Sequence, residues 1–287
     1  MSNRINVLKT YKTYVGGQFP RSESGHTYKI KNQSGDLIAN ACRCSRKDIR
    51  EAVVAARSAF PGWSSRSAYN RGQIIYRIAE MLEGRKEQFV NELMNTGLKK
   101  SRAILETETA VDRLVYYAGW TDKYQQIFGS INPVASNHFN FSNPEPSGVV
   151  GLLAPDSSPL TALISMVAPV IAGGNSCIIL ASEENPLSAI TFGEIVHVSD
   201  VPGGVVNILS GYRNELIPHL TKHMDLNAIW GTNSEKEIRK QIDENAALNI
   251  KRVYHTFEDD WYTDNIQNPY HILEFQEIKT TWHPAGY

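Results

Sequence analysis

Cysteine is scarce in this 287-residue chain: only Cys42, Cys44 and Cys177 occur, and none follows position 177. Three thiols so placed build no disulfide framework, and a lone Cys-x-Cys pair without further ligands is poor evidence for zinc. Long apolar runs are missing as well. The longest, Val149 to Ala154, is far short of the roughly 20 residues a membrane span needs. The opening residues lack the apolar stretch of a secretory signal, so a cytoplasmic chain is expected. Charge of one sign is also lacking. A formal net charge of -1 gives no electrostatic reason to expect nucleic acid or an anionic membrane as partner. What remains is 41% hydrophobic and 21% charged, a balance that can bury a core.

Periodicity divides the chain in two. Residues 12–41 read as short extended segments with turns at Gly16-Gly17, Ser24-Gly25 and Ser34-Gly35-Asp36. Ser45 with Asp48 three residues on reads as a capping box, opening a helix that Pro61-Gly62 should stop. One amphipathic segment carries Ile74 through Leu93 to Gly97. A second spans about 101–127 with Leu105, Val111, Leu114, Val115 and Ala118 toward the core.

From Val149 the pattern changes to strand and helix in alternation. Strands are expected at 149–154, 176–180, 205–209 and 228–230, the first an apolar run buried on both faces. Helices are expected at 159–172, after Asn185-Pro186, at 215–222 and at 234–246. Such alternation predicts an α/β fold with a parallel sheet and crossover helices. Beyond His255 the chain is polar, aromatic and non-periodic until Leu273 to Trp282, which alternates like a strand.

Several segments in order resemble the NAD(P)-dependent aldehyde dehydrogenases. Tyr14-Val-Gly-Gly-Gln-Phe19 resembles the family's N-terminal hairpin, and Asp48 to Trp63 its first helix and the tryptophan after it. Arg71 with Ile74-Ile75, Tyr116 to Trp120, Pro146 to Leu160, Ala172-Gly-Gly-Asn175 and Pro202 to Gly211 continue the likeness. The resemblance implies a Rossmann-like coenzyme domain with flanking helices, formed by residues 1–133 and 144–256, that binds without a Gly-x-Gly-x-x-Gly turn. It also implies a β oligomerisation arm and tail at 134–143 and 270–287. Phe275-Gln-Glu-Ile-Lys-Thr-Thr281 is similar to the family's closing strand. Residues 257–269 then stand as a linker in place of a catalytic domain.

The chemistry implied by the family is where the likeness fails. Its reaction needs a cysteine thiolate to attack the aldehyde, forming a tetrahedral adduct from which hydride leaves. That cysteine lies beyond the coenzyme fold, where this chain has none, and Cys177 reads as a buried small hydrophobe. The oxyanion amide of a Pro-Trp-Asn turn is replaced in Pro155-Asp156-Ser157. Arg252 to Asp260 stands in place of the general-base motif, with Glu258 an acid near its position and more simply a solvated loop residue. No catalytic residue is therefore assigned. Ala181 aligns with a ribose-binding lysine, and the turn under the pyrophosphate is reduced to Trp230-Gly231-Thr232. A helix N-terminus can still take phosphate there, so NAD or NADP binding, if retained, should be weak and involve Pro155, Glu184, Gly211 and Gly231.

No metal site is assigned either. His219 and His223 share a helix face but have no third ligand at useful spacing. Trp261, Tyr262, Tyr270 and Phe275 lack the basic groove that nucleic-acid stacking requires, so they should pack on the vacant coenzyme-domain surface. The resulting expectation is a catalytically inactive structural or regulatory subunit. It should assemble with itself or a full-length aldehyde dehydrogenase through 134–143 and 272–282. The alternatives are an oxidoreductase component that keeps NAD(P) within a shared complex, and a nucleotide sensor.

Overall fold

The computed structural model describes residues 7–232, 235–257 and 260–286. Short strands β1 (Thr10–Tyr11), β2 (Thr27–Lys31) and β3 (Leu37–Cys42) form a small sheet in the order β1-β3-β2. Helix α1 (Arg46–Ser64) follows, with Ser45 and Asp48 making the reciprocal capping box. Pro61 does not stop it. The ring sits in the last turn, and Ser65 still donates to the Pro61 carbonyl at 3.2 Å. Continuing past Pro61 carries Trp63 into the core, where its indole N–H meets the Ile171 carbonyl at 3.0 Å.

The long segment that follows is two helices, α2 (Ala68–Gly84) and α3 (Lys86–Asn95), broken at Arg85. Next come α4 (Lys100–Trp120) and the short α5 (Tyr124–Phe128). The face of α4 turned to the core differs from the one expected from apolar residues alone. Ala103, Glu106, Thr107, Ala110, Arg113, Leu114 and Tyr117 are buried, whereas Leu105 and Val115 are 39% and 42% exposed. The buried stripe keeps the helical period but contains Glu106 and Arg113, which earn burial by hydrogen bonds described below.

Strands β4 (Ser130–Asn132) and β5 (His138–Pro146) lead into β6 (Val149–Leu153), α6 (Thr161–Ala172), β7 (Ser176–Leu180) and α7 (Leu187–His197). Asn185 does not cap α7; its backbone N–H instead meets Ser182 Oγ at 2.9 Å. Then follow β8 (Val206–Leu209), α8 (Arg213–Thr221), β9 (Ala228–Thr232), α9 (Lys236–Ala246) and β10 (Arg252–Thr256). The five parallel strands lie in the order β10-β9-β6-β7-β8. Each strand sends alternate side chains to opposite faces. Val149, Leu153, Ile178, Leu180 and Ile229 pack with α1, α8 and α9, while Val150, Leu152, Cys177, Ile179 and Trp230 pack with α6 and α7. Covering both faces explains why these strands read as continuous apolar runs.

The last segment departs from the expected long strand at its start. Residues 270–273 form a helical turn, α10 (Tyr270–Leu273), and the strand β11 begins later, at Gln276–Pro284. Ile272 and Phe275 are held in the core, which ends the alternation before residue 276. From there β11 pairs antiparallel with β5, from Gln276 opposite Pro146 to Pro284 opposite His138. The sheet order is β11-β5-β4. Among the described residues, no helix is long and apolar enough to cross a membrane.

Candidate functional site at the strand ends

In an open α/β sheet, ligands sit beyond the C-terminal ends of the strands, where the winding reverses. Here that reversal lies between β6 and β9, and the turns after β6, β7 and β8 line its surroundings. Those turns are bound to one another. Asp156 Oδ1 accepts Ser182 Oγ at 2.7 Å, the Glu183 N–H at 2.9 Å and the Glu184 N–H at 3.4 Å. Its other oxygen lies 3.2 Å from Arg213 Nη1. Arg213, the first residue of α8, also donates to the Ala154 carbonyl, and its backbone N–H meets Glu183 Oε2 at 2.8 Å. Tyr28 closes the outer side, its hydroxyl 3.3 Å from the Glu183 carbonyl and its ring 5.3 Å from that of Tyr212.

The expected coenzyme residues take unequal places in this arrangement. Pro155 directly precedes Asp156 in the turn after β6, and Gly211 begins the turn before α8 with φ 150°. A side chain on Gly211 would come within 3.2 Å of the Cys44 N–H, so this glycine serves close packing. Gly231 lies inside β9, where a Cβ would meet His255 Nδ1 at 2.8 Å. Glu184 contributes only its amide to Asp156. Glu183, not singled out from the sequence, contributes the carboxylate that faces α8. Ala181 is buried.

A second cluster occupies the start of α6. The turn after β6 places Ser158 at φ 49°, a left-handed conformation uncommon for a side chain larger than glycine. The Glu106 carboxylate, fully buried, accepts the Leu160 N–H at 2.8 Å, and the Glu106 carbonyl accepts Thr161 Oγ1 at 2.7 Å. Burial raises the Glu106 carboxyl above the ordinary range, against the hydrogen bonds that favour its charged form. Tyr262 donates to the other Glu106 oxygen at 3.1 Å and lies 3.3 Å from Ser158 Oγ. The α6 N-terminus, an anion-attracting group, is thus already served by a side chain of the protein.

The segment after β10 supplies that tyrosine and fills the surface beside it. Trp261, Ile266, Ile272 and Phe275 are buried, and Phe275 stacks on Trp230 with ring centroids 5.4 Å apart. Arg113 donates to the Thr263 carbonyl and to Gln267 Oε1, each at 2.6 Å. The Tyr117 hydroxyl reaches the Asn268 carbonyl at 3.1 Å. Trp261 and Phe275 are thus core residues, while Tyr270 is 60% exposed and touches the Phe128 ring at 5.2 Å.

All three cysteines are buried and free, and burial pushes the thiols of Cys44 and Cys177 well up, away from thiolate chemistry. Glu258 lies outside the described residues, as do Asn233 and Ser234 before α9. Among the described residues, no three His, Cys, Asp or Glu side chains cluster as a metal site. His223 is held below its ordinary pKa, chiefly by desolvation.

These features define a doubly wound, nucleotide-binding-type α/β domain with an attached β arm. The chain belongs to the aldehyde dehydrogenase family, whose model matches residues 19–257. It is 32% identical over 249 residues to cytosolic aldehyde dehydrogenase 1 of Elephantulus edwardii, covering 84% of this chain and 49% of that protein. Retinal dehydrogenase 2 of Mus musculus is 32% identical over 253 residues, covering 86% and 48% respectively. The NAD+ complex of an aldehyde dehydrogenase from Bacillus cereus superposes with a TM-score of 0.81 at 29% identity, covering 86% of this chain and 50% of that one. The chain thus spans about half the length of these relatives.

Proposed function

We propose that this protein is a non-catalytic assembly subunit of the aldehyde dehydrogenase type, joining copies of itself or a full-length family member. The observation that carries the reading is the arm. Strand β11 pairs with β5 along its whole length, yet the sheet buries almost none of its side chains. Ile131, Phe139, Ile278 and Trp282 are 72%, 47%, 58% and 57% exposed. A long sheet edge flanked by such side chains is a liability in a lone molecule and an asset at a subunit contact. Glu277 pairs with Arg252 at 3.1 Å and Lys279 with Glu145 at 3.1 Å, so the charged residues of β11 are used within the chain. The apolar ones are left for a partner.

The strand ends support the non-catalytic half of the proposal. No thiol is placed to attack a carbonyl: Cys177 is inside β7, and Cys42 and Cys44 are buried. Asp156 and Arg213 spend their charges on one another where coenzyme would have to enter. A dinucleotide must displace this pairing, which favours weak NAD or NADP binding over the oxidoreductase alternative. Following NAD(P)H appearance with a panel of aldehydes, alongside light scattering of the same sample, tests both halves. Turnover would overturn the first, and a monomer that also ignores a full-length partner the second.

A further inference from the structure

The two edges of the arm are unequal. In the sheet order β11-β5-β4, one edge is the three-residue β4 and the other the nine-residue β11. Which backbone groups β11 turns outward follows from its two ends. The Ser147 N–H meets the Phe275 carbonyl at 3.1 Å, and the Ala285 N–H meets the Asn137 carbonyl at 3.0 Å, both in register with the ladder between them. Bonded and non-bonded pairs alternate along an antiparallel ladder. The odd-numbered residues of β11 therefore turn their N–H and C=O to β5, and the even-numbered ones turn theirs away. The free edge offers the backbone of Ile278, Thr280 and Trp282. Among the described residues, none of these three backbones bonds to a segment outside the sheet.

Nothing blunts this edge. Residues 277–284 are all exposed, the register with β5 runs unbroken, Pro284 stands only at the end, and Lys279 is drawn to Glu145 at 3.1 Å. The strand is also complementary to itself. Antiparallel pairing of two copies about a twofold axis at Thr280 overlaps Gln276 to Pro284 in full, and any other centre shortens the overlap. It sets Ile278 against Trp282 of the other copy and Glu277 against His283 of the other copy, with no like charges opposed. Centring on Lys279 would oppose two ammonium groups, and centring on Thr281 would set Lys279 against His283.

We propose, resting on the assembly reading above, that the occupant of this edge is the β11 of a second copy, so that two arms join as one antiparallel sheet across an axis at Thr280. Ile278, Thr280 and Trp282 then exchange N–H and C=O with the other copy, and each Ile278 packs on a Trp282.

Oxidative cross-linking of the intact protein, read beside light scattering of the same samples, tests it. Thr280→Cys should give a covalent dimer, because bonded cross-strand pairs lie about 5.5 Å apart between Cα atoms, within disulfide reach. Ile278→Cys and Trp282→Cys should each fail alone and cross-link once mixed and allowed to exchange. The native thiols are buried and do not compete. Thr280→Pro removes an outward N–H and leaves the β5 ladder its bonds. It should raise the dimer dissociation constant at least about tenfold, with circular dichroism confirming the fold. A dimer in which Thr280→Cys fails to cross-link, or that Thr280→Pro leaves intact, would overturn this edge pairing while leaving assembly standing. A chain that is monomeric alone but joins a full-length family member would do the same. A monomer under both conditions would overturn both.

Discussion

Tyr262 donates its hydroxyl to Glu106 Oε2 at 3.1 Å, joining the segment after β10 to the carboxylate that serves the N-terminus of α6. This contact links two parts of the chain 156 residues apart. An incoming oxyanion there would meet a buried acid and a tyrosine that already satisfy each other and the Leu160 amide.

Aldehyde oxidation should therefore be absent from the purified protein. NAD(P)H formation with short-chain and aromatic aldehydes is expected to stay at the level without protein. Turnover that survives replacement of Cys42, Cys44 and Cys177 by serine would reveal chemistry independent of a thiolate.

Coenzyme should bind weakly. Titration of NAD and NADP should give dissociation constants above the micromolar range, less favourable than about -8 kcal/mol. Ala181→Lys should not repair this, because Ala181 is buried and its new ammonium would be desolvated beside the Asp156 and Arg213 turns. Micromolar binding by the unmodified protein would favour an oxidoreductase component instead.

The alternating strands and helices from β6 to β9 could be read from sequence because burial on both faces leaves a simple apolar signature. The capping box at Ser45 was equally legible, being local. The α4 face was not. Apolar periodicity passes over Glu106 and Arg113, whose hydrogen-bond partners, among them Leu160, Tyr262, Thr263 and Gln267, are far away in sequence. The same holds for Asp156: the turn Pro155-Asp156-Ser157 reads as a departure from the family pattern, but the ties of Asp156 to Arg213 and Glu183 are tertiary. Pro61 misled for a related reason, since the burial of Trp63 outweighs a missing N–H in the final turn.

Phe275 should anchor the start of β11. Its side chain is fully buried and stacked on Trp230, so Phe275→Ala should cost about 3–5 kcal/mol. Urea unfolding measures this. A loss of only a few tenths would mean that the segment after β10 is loosely attached.

His271 makes stability depend on pH. Its native pKa of about 4 lies below the unfolded value of about 6.5, since burial penalises the charged ring. As pH falls from 7 to 4, the unfolded chain takes up a proton that the native state refuses. Up to about 3 kcal/mol should be lost over that window. The buried Glu92 and Glu106 carboxyls, both raised, act in the opposite sense. The comparison is therefore with His271→Gln, whose stability should fall less on acidification. Identical pH slopes for the two proteins would exclude His271 as the cause.

Assembly is the central claim, and light scattering during size-exclusion chromatography tests it most directly. The protein is measured alone and mixed with a full-length aldehyde dehydrogenase from the same source, beside an Ile278→Lys, Trp282→Lys double variant. Ile272 and Phe275 belong to the core, so surface charges on β11 probe the edge more cleanly than truncation at residue 272. The account predicts a dimer or larger species, or a mixed complex, that the double variant reduces to monomer. A monodisperse monomer of the unmodified protein under both conditions would contradict it.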